Sequence, residues 1–445
     1  MSKRGPNAGL ARLIGEAGWT HAQLARQANA IGTENGTPFR YDESAVTHWL
    51  NGTLPRVDAR KCVLEALRRR LNRYVTSAEA GFPPSERDYS AVGNTVEELI
   101  ELGRQDMDPA RRGVLGAGLF SVALTVPGWP DVLGRLEAFQ AGRVTRIGMP
   151  EVQMVIDMTA KVSELDDQFG GRHARPMGAA FLVNTVAGYL KAPASADVRK
   201  AMMGAASDLS YLTGYMAVDE GLHGLAQRYY VKALELAGAA EDHLTYCTAL
   251  RGMSVQATDL GHGARAVDLG EAAAAASPAA GPRLLAFIAG QRAHAAAQTG
   301  DRMGALRHLR EAEVAMDKAE SRTRMFGWYD PAALSYHISQ VRYELGDRTG
   351  AVDAMEESDR LRHSSHRHTR VHRRGLLAER QLAVGHLELA CETWGSALEE
   401  WPLVQSGRAD DRMRTMVQMV RPHTKNAHAR ALYDRARAVL PVSMH

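Results

Sequence analysis

Five glycines at nearly regular intervals constrain the fold of this 445-residue chain more than any other feature. Gly221, Gly261, Gly300, Gly346 and Gly385 are separated by 40, 39, 46 and 39 residues. A small residue lies seven positions before, five positions after and twelve positions after each of these glycines. Small residues at this spacing allow two antiparallel helices to approach closely, with a glycine in the turn between them. The sequence therefore predicts a stack of helix pairs.

Larger residues between the small positions follow the same period. A bulky apolar side chain stands nine positions after four of the five glycines, namely at Tyr230, Leu309, Met355 and Trp394. Prolines at Pro278 and Pro402 stand where a second helix would end. This spacing resembles the tetratricopeptide repeat over about residues 205–405, which implies an α-solenoid. The segment "NAHARALYDRARAVL" is expected to cap the array.

Composition indicates an ordinary globular chain. Apolar residues make up 45% and charged residues 24% of the sequence, and no apolar run is long enough for a membrane span. The N-terminus lacks the apolar core of a signal peptide, so a cytoplasmic location with no membrane partner is expected. Cys62, Cys247 and Cys391 lie far apart, which excludes a disulfide framework or a zinc ribbon. No cofactor or metal is expected.

Positive charge is concentrated near the N-terminus. Residues 1–73 contain twelve Lys or Arg against six acids, a net charge of +6, whereas the whole chain carries +3. Clustered cations favour a polyanionic partner through counterion release. A basic surface that is merely solvated is the alternative.

Four short helices are predicted in this N-terminal region. "NAGLARLIGEAG" ends at Gly18, and "WTHAQLARQANAIG" begins with the capping pair Thr20 and Gln23. After a loop of about eleven residues, "ESAVTHWL" is capped by Asp42 and stopped by Gly52. "VDARKCVLEALRRRL" supplies the fourth amphipathic helix.

The stretches "HAQLARQA" and "SAVTHWLNGTLPR" resemble the Xre-type, lambda-repressor-like helix-turn-helix domains. The resemblance implies that double-stranded DNA is a partner and that the third helix enters the major groove. Phosphate contacts are expected from Gln23, Arg40 and Arg56, and base contacts from the short polar residues. The predicted DNA-binding residues are Gln23, Arg40, Tyr41, Ser44, Thr47, His48, Asn51 and Arg56. A head with a purely structural role is the alternative.

The predicted organisation has four parts. The head spans 1–75, a linker spans 76–95, irregular helices span 96–204, and the repeat domain with C-terminal capping helices spans 205–445. The apolar stretch that follows Arg111 and Arg112 is interpreted as a buried helix or a hydrophobic connector, because it lies too far along the chain for an export signal. The fold class is therefore all-α, a lambda-repressor-like head followed by an α-solenoid.

The first helices of a solenoid line its concave side. The inner positions of the repeat register are predicted to form a ligand-binding groove from Tyr211, Tyr215, Thr248, Arg251, Thr258, Phe287, His294, Tyr336, Gln340, Tyr343 and Arg373. Aromatic and hydrogen-bonding side chains of this kind suit a peptide or an amphipathic small molecule. Packing between repeats is the alternative role for these residues.

No catalytic motif is present, so an enzyme is not expected. "GHGAR" at Gly261 has no preceding strand, and no phosphate-binding loop or nucleophile elbow occurs. "RHSSHRHTRVHRR", residues 362–374, is interpreted as a solvated inter-repeat loop, with a phosphate or DNA-backbone contact as an alternative. Metal binding is less favoured still, because the arginines of the run repel a cation.

Both halves, with "FGGRHAR" and "GYMAVDEGLHGLAQRYYVKAL" between them, resemble actinobacterial regulators that join an Xre-type head to a tetratricopeptide-like body. The resemblance implies a transcriptional regulator, with repression favoured, whose body forms a homodimer, senses an effector, or does both. The alternative is an adaptor that docks partner proteins in the repeat groove.

Overall fold

The structure is a computed structural model, and it describes residues 5–34, 38–71, 75, 77–83, 95–108, 146–319, 329–361 and 367–441. Within these ranges every regular element is helical, which confirms the all-α expectation. No described helix is both long and apolar enough to cross a bilayer. The apolar stretch after Arg112, most of the predicted linker and residues 362–366 lie outside the described residues.

Four helices form the head: α1 (Ala8–Ala17), α2 (His21–Glu34), α3 (Glu43–Leu50) and α4 (Val57–Leu71). Their ends follow the predicted signals. Thr20 and Gln23 make the reciprocal capping bonds, at 2.7 and 3.2 Å, and Asp42 accepts from the Ala45 amide at 3.0 Å. Gly18 ends α1 in the left-handed conformation. The Xre-type assignment of this four-helix unit stays a prediction.

The head has its own hydrophobic core. Leu10, Leu24 and Val46, from three different helices, are fully buried in one cluster. Val75, Ala80 and Phe82 belong to the same cluster, and the Asn7 side chain donates to the Ala80 carbonyl at 3.0 Å. The unit therefore continues past residue 75, where the sequence placed the start of the linker, because turn residues 77–83 fold back onto α1.

The body begins with α5 (Thr95–Met107), α6 (Met149–Phe169), α7 (Gly171–Phe181), a π-helical turn (Leu182–Val186) and α8 (Ala187–Lys191). Six antiparallel helix pairs follow, and the first starts before the predicted boundary at 205. They are α9 (Ala196–Asp219) with α10 (His223–Ala239), α11 (His243–Asp259) with α12 (Gly263–Ala275), α13 (Pro282–Gln298) with α14 (Arg302–Asp317), α15 (Pro331–Glu344) with α16 (Arg348–Leu361), α17 (Arg367–Ala383) with α18 (Leu387–Glu400), and α19 (Gly407–Val420) with α20 (Ala427–Val439).

The glycine register is confirmed in detail, and the body is a tetratricopeptide-like helical repeat array. All five glycines lie between paired helices with φ from 75° to 90°, a conformation that favours glycine. The alanine five positions after each glycine is fully buried. Serine can replace alanine at these contacts because its hydroxyl finds a carbonyl: Ser254 donates to Ala266 at 2.7 Å and Ser358 to Ala332 at 2.6 Å.

The array curves until its last pair meets the helices that precede its first pair. The Gln405 amide donates to the Phe169 carbonyl at 2.6 Å, and the Arg172 amide donates to the Gln405 carbonyl at 3.1 Å. A Cβ atom on Gly170, whose φ is 93°, would lie 2.5 Å from the Gln405 oxygen, so this approach requires glycine. The concave side is therefore bounded across its opening by α6 and α19, and it is not an open groove.

Gly300→Ala tests the turn register. Because no heavy atom lies within 4 Å of the added Cβ, the expected loss of about 1–2 kcal/mol in unfolding free energy comes from the left-handed backbone alone. Gly188→Ala is the matched control: this exposed helical glycine also has open space, and alanine there should add roughly 0.5–1 kcal/mol. Urea unfolding measures both; equal effects would contradict the assigned turn.

Candidate functional site

The first candidate surface is the outer face of α3. Ser44, Thr47 and His48 are exposed, whereas Val46 and Trp49 are buried in the head core. This separation arises because residues three and four apart share one helix face. A short polar helix is thus presented to solvent by a packed apolar base.

Hydrogen bonds hold two of these side chains in place. Ser44 Oγ donates to Asp42 Oδ1 at 2.6 Å, and this bond is the main cause of the lowered pKa of Asp42. Thr47 Oγ1 donates to the Glu43 carbonyl at 3.0 Å and lies 3.4 Å from His21 Nδ1. Both hydroxyl oxygens can still accept hydrogen bonds from outside.

The remaining predicted DNA contacts differ in availability. Arg40, Asn51 and Arg56 are exposed around α3. Gln23 is half-buried, and its Oε1 is occupied by the cap of α2. Tyr41 is half-buried and packs edge-on against Trp49, with 5.0 Å between ring centroids, so its ring positions α3 more than it faces solvent.

The connection between α2 and α3 is shorter than predicted, because α2 continues to Glu34. The end of this connection nearest α3 is fixed by the Asn29 side chain, which donates to the Tyr41 carbonyl at 2.7 Å and accepts from the Tyr41 amide at 2.9 Å.

Part of the basic charge of the head is also internal. Arg68 donates to the Val75 carbonyl and Arg70 to the Ala17 carbonyl, so these cations brace the fold.

The second candidate site is a cavity of about 180 Å³ on the concave side of the body. Seven of the eleven predicted groove residues line it: Tyr211, Tyr215, Arg251, Phe287, His294, Tyr336 and Arg373. They come from the first helices of successive pairs, as the register requires. Whether they bind a ligand stays a prediction.

The other four predicted groove residues do not line the cavity. Thr248 and Thr258 are buried and donate to carbonyls one turn earlier in α11, at 2.8 and 2.9 Å. Gln340 donates to the Tyr336 hydroxyl at 3.2 Å, and Tyr343 is 40% exposed beside the Arg380 guanidinium. At these four positions the side chains bond to their own helix or contact neighbouring residues instead of the cavity.

Several lining residues were missed from the sequence: Asp166, Asp219, Asp259, His337, His368, His372 and Arg408. His368 and His372 belong to α17, so the described part of the His/Arg run is helical and faces the cavity, which corrects the expectation of a solvated loop. Asp166 lies on α6 and Arg408 on α19, which meet the concave side only through closure of the array. The repeat register carries no signal for such a contact.

The closing elements bring opposite charges together. Arg408 donates to Asp259 at 2.7 Å; burial lowers the pKa of Arg408, but Asp259 and Tyr215 raise it more. Burial raises the pKa of Asp166 to about 7, although the charge of His368 opposes that shift. The Ser406 hydroxyl donates to Asp219 at 2.7 Å. Two of these contacts, Arg408 with Asp259 and Ser406 with Asp219, hold the wall formed by closure, whereas Asp166 Oδ1 is buried without a hydrogen-bond partner in the part of the chain that the structure describes.

Two further cationic groups lie on the other walls. Arg373 donates to the Ala332 carbonyl at 3.2 Å and to Ser358 at 2.9 Å, and its guanidinium lies 4.3 Å from the Tyr336 ring centre. The Arg251 guanidinium lies 3.1 Å from the centre of the Phe287 ring. In the described ranges, no group of three His, Cys, Asp or Glu side chains could hold a metal ion.

Comparison with known proteins gives one family match. Residues 10–83 match the family model described as the SP15 N-terminal domain, which covers the head and its turn through 83. No curated protein matches the chain.

Two solved structures resemble the chain weakly. The APC/C hetero-tetramer Cut9-Hcn1 is 15% identical and has a TM-score of 0.32, covering 96% of this chain and 73% of its own. The TPR domain of P58(IPK) is 14% identical and has a TM-score of 0.18, covering 78% of this chain and 89% of its own. The repeat assignment depends on the helix pairs themselves.

The buried histidines predict acid sensitivity. Burial, followed by the Arg380 charge, lowers the pKa of His294 to about 4. The unfolded chain therefore binds a proton near the ordinary pKa of about 6.5, whereas the folded chain resists protonation, so stability falls with pH below that value. Between about pH 7.5 and about pH 5.5, His294 should account for a loss of about 1.4 kcal/mol.

Urea unfolding of His294→Gln at both pH values measures this contribution. The variant should lose about 1.4 kcal/mol less than the wild type on acidification. His423→Gln, at an exposed position near the end of the array, is the control and should follow the wild type. Identical acid losses in all three proteins would contradict the burial of a neutral His294.

Proposed function

We propose that this protein is a sequence-specific DNA-binding transcriptional regulator of the Xre-type helix-turn-helix kind, in which the head reads DNA and the body responds to an effector. The observation that carries the proposal is the polar outer face of α3. Ser44, Thr47 and His48 are presented on a short helix whose other face is fixed in the head core.

The dimensions of α3 suit a major groove. Eight residues give a helix roughly 12 Å long, and the groove is about 12 Å wide. Hydroxyl and imidazole groups can donate to or accept from base edges, and they need little ordering because their side chains are short. Arg40 and Arg56, exposed on either side, would contact phosphates and contribute most of the salt-dependent affinity.

The body would act by setting the arrangement of two heads. In a homodimer, two reading helices meet successive major grooves when they are about 34 Å apart. An effector that binds one shape of the closed array better than another would shift the population and with it that separation. The closed concave side supports this role over the adaptor alternative, since an extended partner chain would need an open groove.

DNA retention tests the proposal. Fragments selected from random DNA by the wild type should bind Thr47→Ala and His48→Ala about 10-fold or more weakly, because one base contact contributes about 1–3 kcal/mol of discrimination. Arg40→Ala and Arg56→Ala should weaken binding to all sequences and reduce the dependence on salt.

Arg307→Ala is the control, since this exposed arginine lies on α14, outside the head. It should retain wild-type binding. Equal retention of the wild type and of all four head variants, or no retention of any fragment at low salt, would contradict DNA reading by α3.

A further inference from the structure

We propose that the cavity of the body binds a small organic acid, with its carboxylate on Arg251 and an apolar ring against Phe287 and the neighbouring tyrosines. The proposal deepens the proposed function by naming the class of effector. Its first observation is Arg251 itself. The residue is 7% exposed, and among the described residues it has no hydrogen-bond or ion-pair partner, with Nε fully buried.

A buried guanidinium without an anion is unusual, because removing the charge from water is unfavourable unless a partner compensates. Burial lowers the pKa of Arg251, and the groups that oppose this shift are tyrosines, Tyr211 foremost. The guanidinium lies over the face of Phe287. Arg251 therefore presents fork-shaped donors, suited to a carboxylate, to a cavity in which no described carboxylate bonds to them.

Among the described residues, none of the four aspartates that line the cavity makes a hydrogen bond or an ion pair with Arg251. Asp259 lies close enough to Arg251 for that charge to oppose the rise in its pKa that burial causes, but its carboxylate pairs with Arg408 at 2.7 Å. Asp219 accepts from the Gly171 amide at 3.2 Å and from Ser406 at 2.7 Å. Burial raises the pKa of Asp166 and the charge of His368 opposes that shift, while Asp166 Oδ1 is buried without a hydrogen-bond partner in the described ranges.

The histidines near Arg251 add no positive charge. Burial lowers the pKa of both His294 and His337, and the charge of Arg251 lowers that of His337 further. Both rings are therefore neutral at pH 7, and the charge that an incoming anion meets on this wall is that of Arg251.

Size and shape restrict the rest of the ligand. A cavity of about 180 Å³ compares with the roughly 150 Å³ that holds benzene in an engineered apolar cavity, so a single ring with a short substituent fits and an oligopeptide does not. Phe287, Tyr211 and Tyr336 line the cavity, and the Arg251 guanidinium lies over one face of Phe287, so a ring whose carboxylate binds Arg251 would contact aromatic side chains beside it. A monocyclic carboxylic acid satisfies both the charge and the volume.

Titration calorimetry of the full chain with three ring acids tests this: benzoate, 4-hydroxybenzoate and cyclohexanecarboxylate. At least one of these acids should saturate the protein at ligand concentrations up to about 10 mM, which suffices for any Kd of ~1 mM or lower. Acetate, which lacks the ring, benzyl alcohol, which lacks the charge, and inorganic phosphate should each bind on the order of 10-fold more weakly or not at all. Absence of saturable binding by all three ring acids would overturn the proposal, as would equal binding of phosphate or benzyl alcohol.

Arg251→Gln supplies the second arm. Affinity for the bound acid should fall on the order of 10- to 100-fold, and the melting temperature without ligand should rise, because an uncompensated buried charge is removed. Arg292→Gln, which changes a partly buried arginine that pairs with Glu271 outside the cavity, should keep wild-type affinity. Unchanged affinity in Arg251→Gln, or failure of that variant to fold, would overturn the proposal, the latter because the guanidinium would then be a structural requirement.

DNA retention measured on the same preparations separates this inference from the proposed function. Ring-acid binding with no DNA retention would leave the cavity assignment standing and remove the regulator assignment. DNA retention with no binding of any ring acid would do the reverse.

Discussion

Close approach of paired helices at residues without bulky side chains determines the geometry of the body. Each turn glycine with positive φ is followed by a fully buried alanine, so the two helices of a pair pack almost backbone to backbone. Such pairs stack with a small rotation from one to the next, and the rotations accumulate into curvature. The curvature brings α19 back to α6. The contact between these two helices closes the cavity, brings its charged residues together and requires a glycine at position 170.

Closure changes the chemistry of the concave side. An open solenoid exposes its inner residues to water, where isolated charges cost little. Here the side chains of α11 and α13 face a second wall, and burial shifts the pKa values of histidines, aspartates and tyrosines together. Most of these groups have partners, which is the usual state of buried polar groups. Among the residues described, Arg251, Asp166 and His372 each line the cavity with a buried atom that has no hydrogen-bond partner, and Arg251 is the one of the three that is always charged.

The sequence predicted features that depend on local geometry. Gly300 at a left-handed turn, Ala305 buried beneath it and the cap at Asp42 each follow from contacts within a few residues, and all three are found. Arg251 and Phe287 were placed on the inner face by the same register.

Contacts between segments that are distant in the sequence could not be predicted from local spacing. Small rotations between repeats add up over the array, and only their total brings Asp166, His368 and Arg408 together. No single residue of the sequence indicates how large that total is. Thr248 and Thr258 were predicted to line the cavity, but their hydroxyls donate to carbonyls of their own helix, a choice that the repeat spacing does not determine. The base-reading role of His48 depends on a partner molecule and remains a proposal.

The hydrogen bond from Ser406 to Asp219 joins residues 187 positions apart. During synthesis the helices that carry Arg251 and Phe287 leave the ribosome well before α19 exists, because chains emerge from the N-terminus and pairings of high sequence separation form late. A nascent body thus has its inner charges in water until the final pair arrives. The pocket is accordingly a property of the finished polypeptide, and a chain that stops short of α19 would contain nearly all of its residues without possessing it.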